Sequence, residues 1–170
     1  MRILRGAMAA ALILSPAAAF SQTQSVAIPA IAFNGEGIAY NDTGTAAIFR
    51  DHAFAPVTLP DGARVTAFRC GARVTLVTKG ITIKLRRNEP QQANVDMGMV
   101  EIPRSGDGNF KFLRDDSLIE PVIDNRTFNY YLIAEVIPKS ATVGDTCNVN
   151  NAPNACIIAA CNVDFFPPQD

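Results

Sequence analysis

The sequence predicts an all-β protein, an antiparallel β-sandwich of jelly-roll-like character with about eight to ten strands. Three observations carry that expectation. Short runs rich in Val, Ile and Thr alternate apolar with polar residues, as Ile81, Ile83 and Leu85 do with Thr82, Lys84 and Arg86. Turn residues separate the runs at sandwich spacing, as in Pro60-Asp61-Gly62 and Asp124-Asn125. No segment after residue 21 carries a convincing helical period.

Residues 1–21 stand outside this pattern. Arg2 and Arg5 precede the apolar run Gly6 to Leu14 and the small-residue exit Ser15 to Ala19. That is the pattern of a secretory signal peptide, too short and wrongly flanked for a membrane anchor. Residues 22–170 are expected to form one domain, secreted or periplasmic, with no membrane insertion. Without the leader, Lys+Arg falls from 15 to 13 against 16 Asp+Glu, a net charge of −3. A mildly acidic exported chain is a poor candidate for nucleic acid binding.

Taken in order, Ser25 to Phe33 reads as an opening strand, with Pro29 marking an edge or a bend. Asn34-Gly35 is a tight-turn signal. Gly37 to Tyr40 and Thr45 to Phe49 form a hairpin around Asn41-Asp42-Thr43-Gly44, and Arg50-Asp51-His52 is a polar interruption. Phe54 to Arg87 is the most legible stretch. Its runs are Arg64 to Cys70, with Phe68 and Cys70 on the core face, then Arg73 to Lys79 and Ile81 to Arg86; Gly71 and Gly80 break them. Val95 to Ile102 is a strand whose Val95, Met97 and Met99 share a face, Phe110 to Leu113 a short one, and Leu118 to Ile123 an edge carrying Pro121. Thr127 to Ile137 is the longest candidate. Phe128, Tyr130, Leu132, Ala134 and Val136 share one face, while the other also carries apolar Tyr131, Ile133 and Ile137. A strand apolar on both sides is either central and covered on both faces or covered by another subunit, so these three residues are candidates for a self-association interface. Ala155 to Phe166 closes the sheet.

Cys70, Cys147, Cys156 and Cys161 all follow the leader, and an even count in an exported chain points to disulfides. Four cysteines allow three pairings. The run CNVNNAPNAC has loop-forming residues at its centre, which favours Cys147–Cys156 and leaves Cys70–Cys161. A metal site or reactive thiol is the weaker alternative, because the one histidine is remote and no CxxC pair exists.

The stretch Ala55 to Thr66 (APVTLPDGARVT), followed later by Asp124, Asn125 and Tyr130-Tyr131-Leu132, resembles a group of secreted bacterial proteins with no assigned function. The resemblance spans roughly Ala27 to Ile137 and implies a single-domain β-sandwich. Its motifs describe turns and core strands, and the cysteine-bearing end lies outside it.

Candidate chemistry is sparse. His52 has no nucleophile near in sequence and no GxSxG elbow to serve. Glu101, Glu120, Asp124 and Glu135 could act as paired carboxylates, but solvated faces are the default for such residues. Ser105, Asp107 and Asn109 form a polar loop, the first place to seek a ligand or cation. Lys79, Lys84, Arg86 and Arg87 make a basic patch that could meet an anionic surface. No cofactor is expected. The reading is a non-catalytic exported protein with a structural, adhesive or assembly role. The alternatives are a module binding carbohydrate or another cell-surface ligand and, third, a carboxylate hydrolase. With no Trp and three Tyr, exposed aromatics for sugar binding look few.

Overall fold

The computed structural model describes residues 22–35, 38–41, 43–75, 80–88, 93–105, 108–137, 147 and 156–168. Residues 1–21 (expected to be a leader), Lys79, Asp107 and the connections at 89–92 and 138–146 lie outside the described residues. Ten strands are described: β1 (Gln24–Pro29), β2 (Ala39–Tyr40), β3 (Ala47–Phe49), β4 (His52–Pro56), β5 (Arg64–Val74), β6 (Gly80–Asn88), β7 (Val95–Pro103), β8 (Lys111–Asp115), β9 (Asn129–Ile137) and β10 (Cys156–Phe166). They form two antiparallel sheets, a sandwich of the expected class. One runs β2-β3-β10-β5-β8, with β1 also paired to β10; the other runs β4-β9-β6-β7. Successive strands mostly change sheet, so the two sheets share one core.

Alternation fills that core. Ile81, Ile83 and Leu85 of β6 and Leu132 of β9 are fully buried, facing Phe68 of β5 and Ile158 of β10. Three bulges shift the alternation, one of them in β10 between Ile158 and Ala160; the other two reassign residues to faces. Cys70 opposes Cys161, but the register slips between Asp164 and Phe165, where Ala67 and Val65 are the partners. Thr66 is the extra residue, so Val65 joins Phe68 and Cys70 in the core, not on the opposite face. In β7, Leu85 opposes Gly98 and Arg86 opposes Asp96. Met97 is therefore extra and fully buried, while Met99 is 49% exposed. The expectation that Val95, Met97 and Met99 share a face fails at this bulge.

Several glycines do a different job from the one expected. Gly71 does not break β5; the Phe112 ring lies where its side chain would be, and the strand continues to Val74. Asn34-Gly35 is not a turn. Asn34 bridges to Phe54 with backbone bonds of 2.6 and 2.7 Å, and a Cβ on Gly35 would sit 2.6 Å from the His52 carbonyl oxygen. The glycine allows that backbone approach. β1 ends at Pro29, and Ala30–Ala32 make one 3-10 turn. His52 is the first residue of β4, not part of an interruption. Leu118 to Ile123 forms no strand; it bridges at Val122 to Arg64 and is held by Val65 N–H to Pro121 O at 2.9 Å.

The two motifs behind the family resemblance meet in space. Asn125 donates from Nδ2 to Leu59 O at 2.8 Å, and its backbone N–H donates to Asp61 Oδ1 at 2.9 Å. Asp124 N–H donates to the Tyr130 hydroxyl at 2.9 Å, and Val57 N–H to Tyr130 O at 3.0 Å. Gly62 holds φ 76° at the turn that Ala63 N–H closes on Pro60 O. Burial raises the Tyr130 phenol above its ordinary value of 10.0. These residues lock the Pro60-Asp61-Gly62 turn to the start of β9.

Disulfides join Cys70 to Cys161, across β5 and β10, and Cys147 to Cys156 at the head of β10. Cys147 N–H donates to Arg50 O at 3.1 Å, which ties Cys147 to the β3–β4 connection.

Candidate functional site

The outer face of the four-stranded sheet gathers the densest exposed chemistry. β4 is written His-Ala-Phe-Ala-Pro, with both alanines fully buried and the larger side chains outward. Alternation thus points small residues into the core and rings to the surface. Phe54 pairs across to Ile133 and Pro56 to Tyr131. The rings form a row: His52 to Phe54 at 5.1 Å between centroids, Phe54 to Tyr131 at 6.1 Å. Phe54 remains 38% exposed.

A polar strip runs beside the rings. β6 sets Lys84 opposite Ile133 and Met99, and Arg86 opposite Tyr131 and Asp96. Lys84 Nζ lies 2.6 Å from Glu135 and 3.6 Å from Asp96; Arg86 Nε lies 2.5 Å from Asp96. The Arg86 guanidinium is held above its ordinary value, chiefly by the bond to Asp96, with Tyr131 adding to it. Burial alone would raise the Asp96 carboxyl. The hydrogen bond and charge of Arg86, with Lys84, outweigh it and hold Asp96 below 3.8. Two cations and two anions compensate one another, so this strip is polar with little net charge. It can present fixed donors and acceptors to hydroxyl groups while the rings offer their faces to C–H groups.

The residues singled out from the sequence distribute unevenly. Tyr131, Ile133 and Ile137 do lie on this outer face, but β9 is central, flanked by β4 and β6. Ile133 is only 5% exposed within the single chain, so its apolar character is accounted for without a partner subunit. The basic patch is not one patch. Lys84 and Arg86 are paired here, whereas Arg87 lies over the Phe128 ring at 4.3 Å and pairs with Glu120. Ser105 is 4% exposed, its N–H donating to Val74 O, while Asn109 is exposed. The carboxylates are dispersed: Glu135 and Glu120 are in ion pairs and Asp124 caps a turn through Arg126 N–H. Among the described residues no cluster of three or more His, Cys, Asp or Glu could hold a metal. One shallow pocket of about 240 Å³ lies elsewhere, lined by Arg64, Val65, Thr66, Asp116, Leu118 and Pro121. His52, Phe54, Asp96 and Met99 were not grouped from the sequence. The inverted alternation of His52 to Pro56, with alanine inside and rings outside, was the available signal.

No family model matches the chain, and no curated protein matches it. Solved structures do. A xylan-binding module, CBM15, superposes with a TM-score of 0.53 at 9% identity, covering 87% of this chain and all of that one. The C-terminal CBM6 of LamC from Zobellia galactanivorans gives a TM-score of 0.49 at 9% identity, covering 82% of this chain and 98% of that one. At such identity the CBM15 likeness speaks to the fold alone: the chain shares the β-sandwich architecture of a carbohydrate-binding module over 87% of its length.

Proposed function

We propose that the protein is a non-catalytic, exported module that binds a neutral polysaccharide on the outer face of its four-stranded sheet. The row His52–Phe54–Tyr131, laid beside the compensated strip Lys84, Glu135, Arg86 and Asp96, carries this reading. A pyranose ring turns C–H groups to an aromatic face and hydroxyls to its rim, and the site offers both partners in adjacent rows. The near-zero net charge of the strip favours an uncharged sugar over an acidic one. The architecture shared with a xylan-binding module fits this reading, as does the pair of disulfides. The structural or adhesive role expected first rested on the leader pattern, the cysteines, the strands and the lack of a catalytic constellation, and the fold shared with a xylan-binding module favours the binding alternative over it.

The test is a calorimetric titration with soluble xylan, β-glucan and mannan. Phe54→Ala and Tyr131→Ala should each weaken binding about fivefold, at about 1 kcal/mol per stacked ring. A native protein that binds none of these polymers, or a double variant with undiminished affinity, refutes the assignment.

A further inference from the structure

The outer face of the six-stranded sheet carries different chemistry. β5 and β8 set Arg69 directly opposite Arg114, and Gly71 directly opposite Phe112. Arg73 follows two residues along β5, on the same face. A Cβ on Gly71 would lie within 2.5 Å of Phe112 Cδ1, so the ring covers the glycine in place of a side chain. That ring is nonetheless 67% exposed, the largest exposure of any large hydrophobic residue described.

The charge of this face is compensated only in part. Asp164, itself 9% exposed, pairs with Arg114 Nη1 at 3.1 Å. Arg73 reaches the Gly108 carbonyl at 3.4 Å and the Phe110 ring at 5.5 Å. Among the described residues, Arg69 is exposed and no hydrogen bond or ion pair engages its side chain. Three guanidinium groups thus meet one carboxylate, in a chain whose formal net charge is −1. Like charges directly opposite across two strands repel, and Asp164 offsets only one of the two in the Arg69–Arg114 register. Guanidinium forks suit carboxylate and sulfate oxygens, and the ring beside them suits a sugar face.

We infer that this face is a second binding surface, for an acidic polysaccharide. Arg69 and Arg114 take its carboxylate or sulfate groups, and one sugar ring stacks on Phe112. The overall acidity of the chain disfavours a nucleic acid, whose long phosphate track needs an extended basic surface.

The experiment titrates the disulfide-intact protein at low salt with polygalacturonate, dextran sulfate and oligodeoxythymidine. Binding to either acidic polysaccharide is expected, and which one binds separates carboxylate from sulfate as the recognised group. Arg69→Gln should weaken it about tenfold, as loss of a charge-assisted contact does. Phe112→Ala should weaken it about fivefold. Gly71→Ala, which keeps every charge but displaces the ring, should also weaken it. Absence of binding overturns the inference, and so does binding that Arg69→Gln or Phe112→Ala leaves unchanged. Oligodeoxythymidine binding as tight as that of the polysaccharides overturns it too. Neutral polymers titrated against the same variants separate the two surfaces, because the rings concerned lie on opposite sheets.

Discussion

Removing the two disulfides separately should give unequal losses of stability. Cys70–Cys161 spans 91 residues of sequence and Cys147–Cys156 spans 9. Chain-entropy arguments give about 4.6 kcal/mol for the long loop and about 2.7 kcal/mol for the short one. All four cysteines are at most 2% exposed, so replacing either pair with alanine leaves comparable buried gaps and the difference survives. For a domain of this size the melting temperature falls about 2–4 °C per kcal/mol. Cys70→Ala/Cys161→Ala should therefore lose roughly 10–18 °C, and Cys147→Ala/Cys156→Ala roughly 5–10 °C. Urea unfolding of the oxidised proteins, followed by circular dichroism, checks the cause. The denaturant slope should rise more in the long-loop variant, because its unfolded chain expands more. If the short-loop variant is the less stable, or if the long-loop variant melts with the native protein, the reasoning is refuted.

Two further outcomes follow from named contacts. Tyr130→Phe removes the hydroxyl that accepts Asp124 N–H at 2.9 Å, and should cost about 1 kcal/mol or a little more, seen as a lower urea midpoint. An unchanged midpoint would mean that water replaces the phenol and that the turn is not held there. Acid should weaken the sheet-face ion pairs. Asp96 titrates below 3.8 when folded, so its contribution is complete above that pH and is lost as pH falls through the lower folded value. Asp96→Asn should flatten the part of the acid dependence that this group contributes. Urea midpoints of both proteins that fall in parallel from about pH 6 to pH 2 would show that the pairing is not linked to folding.

The strands of this fold were legible because their residues alternate. Ile81 to Arg86, Thr127 to Ile137 and Ala155 to Phe166 each lie within two residues of an observed strand. What alternation does not show is a partner's register. The bulges at Thr66 and Met97 are set by how β5 meets β10 and how β7 meets β6, and each reverses the side on which neighbouring residues fall. Glycine was equally ambiguous. Gly62 is a turn residue, as expected, but Gly35 and Gly71 are places where another group comes close, which no local pattern announces. The candidate site was half visible. Tyr131, Lys84 and Arg86 stood out along their own strands. Phe54 and Asp96 join them only through cross-strand neighbours, and the ring count in the sequence undervalued a face where phenylalanine and histidine stand in place of tryptophan.

The spine of the larger sheet is its last strand. β10 pairs with β5 along one flank, and with β3 and then β1 along the other. Until residues 156–166 have been synthesised, β1 has no partner strand, β3 has only β2, and β5 has only β8. The pairings of β10 with β1, β3 and β5 therefore wait for residues 156–166, and only β2–β3 and β5–β8 can form before them. Up to that point the larger sheet can exist only as two separate pairs of strands.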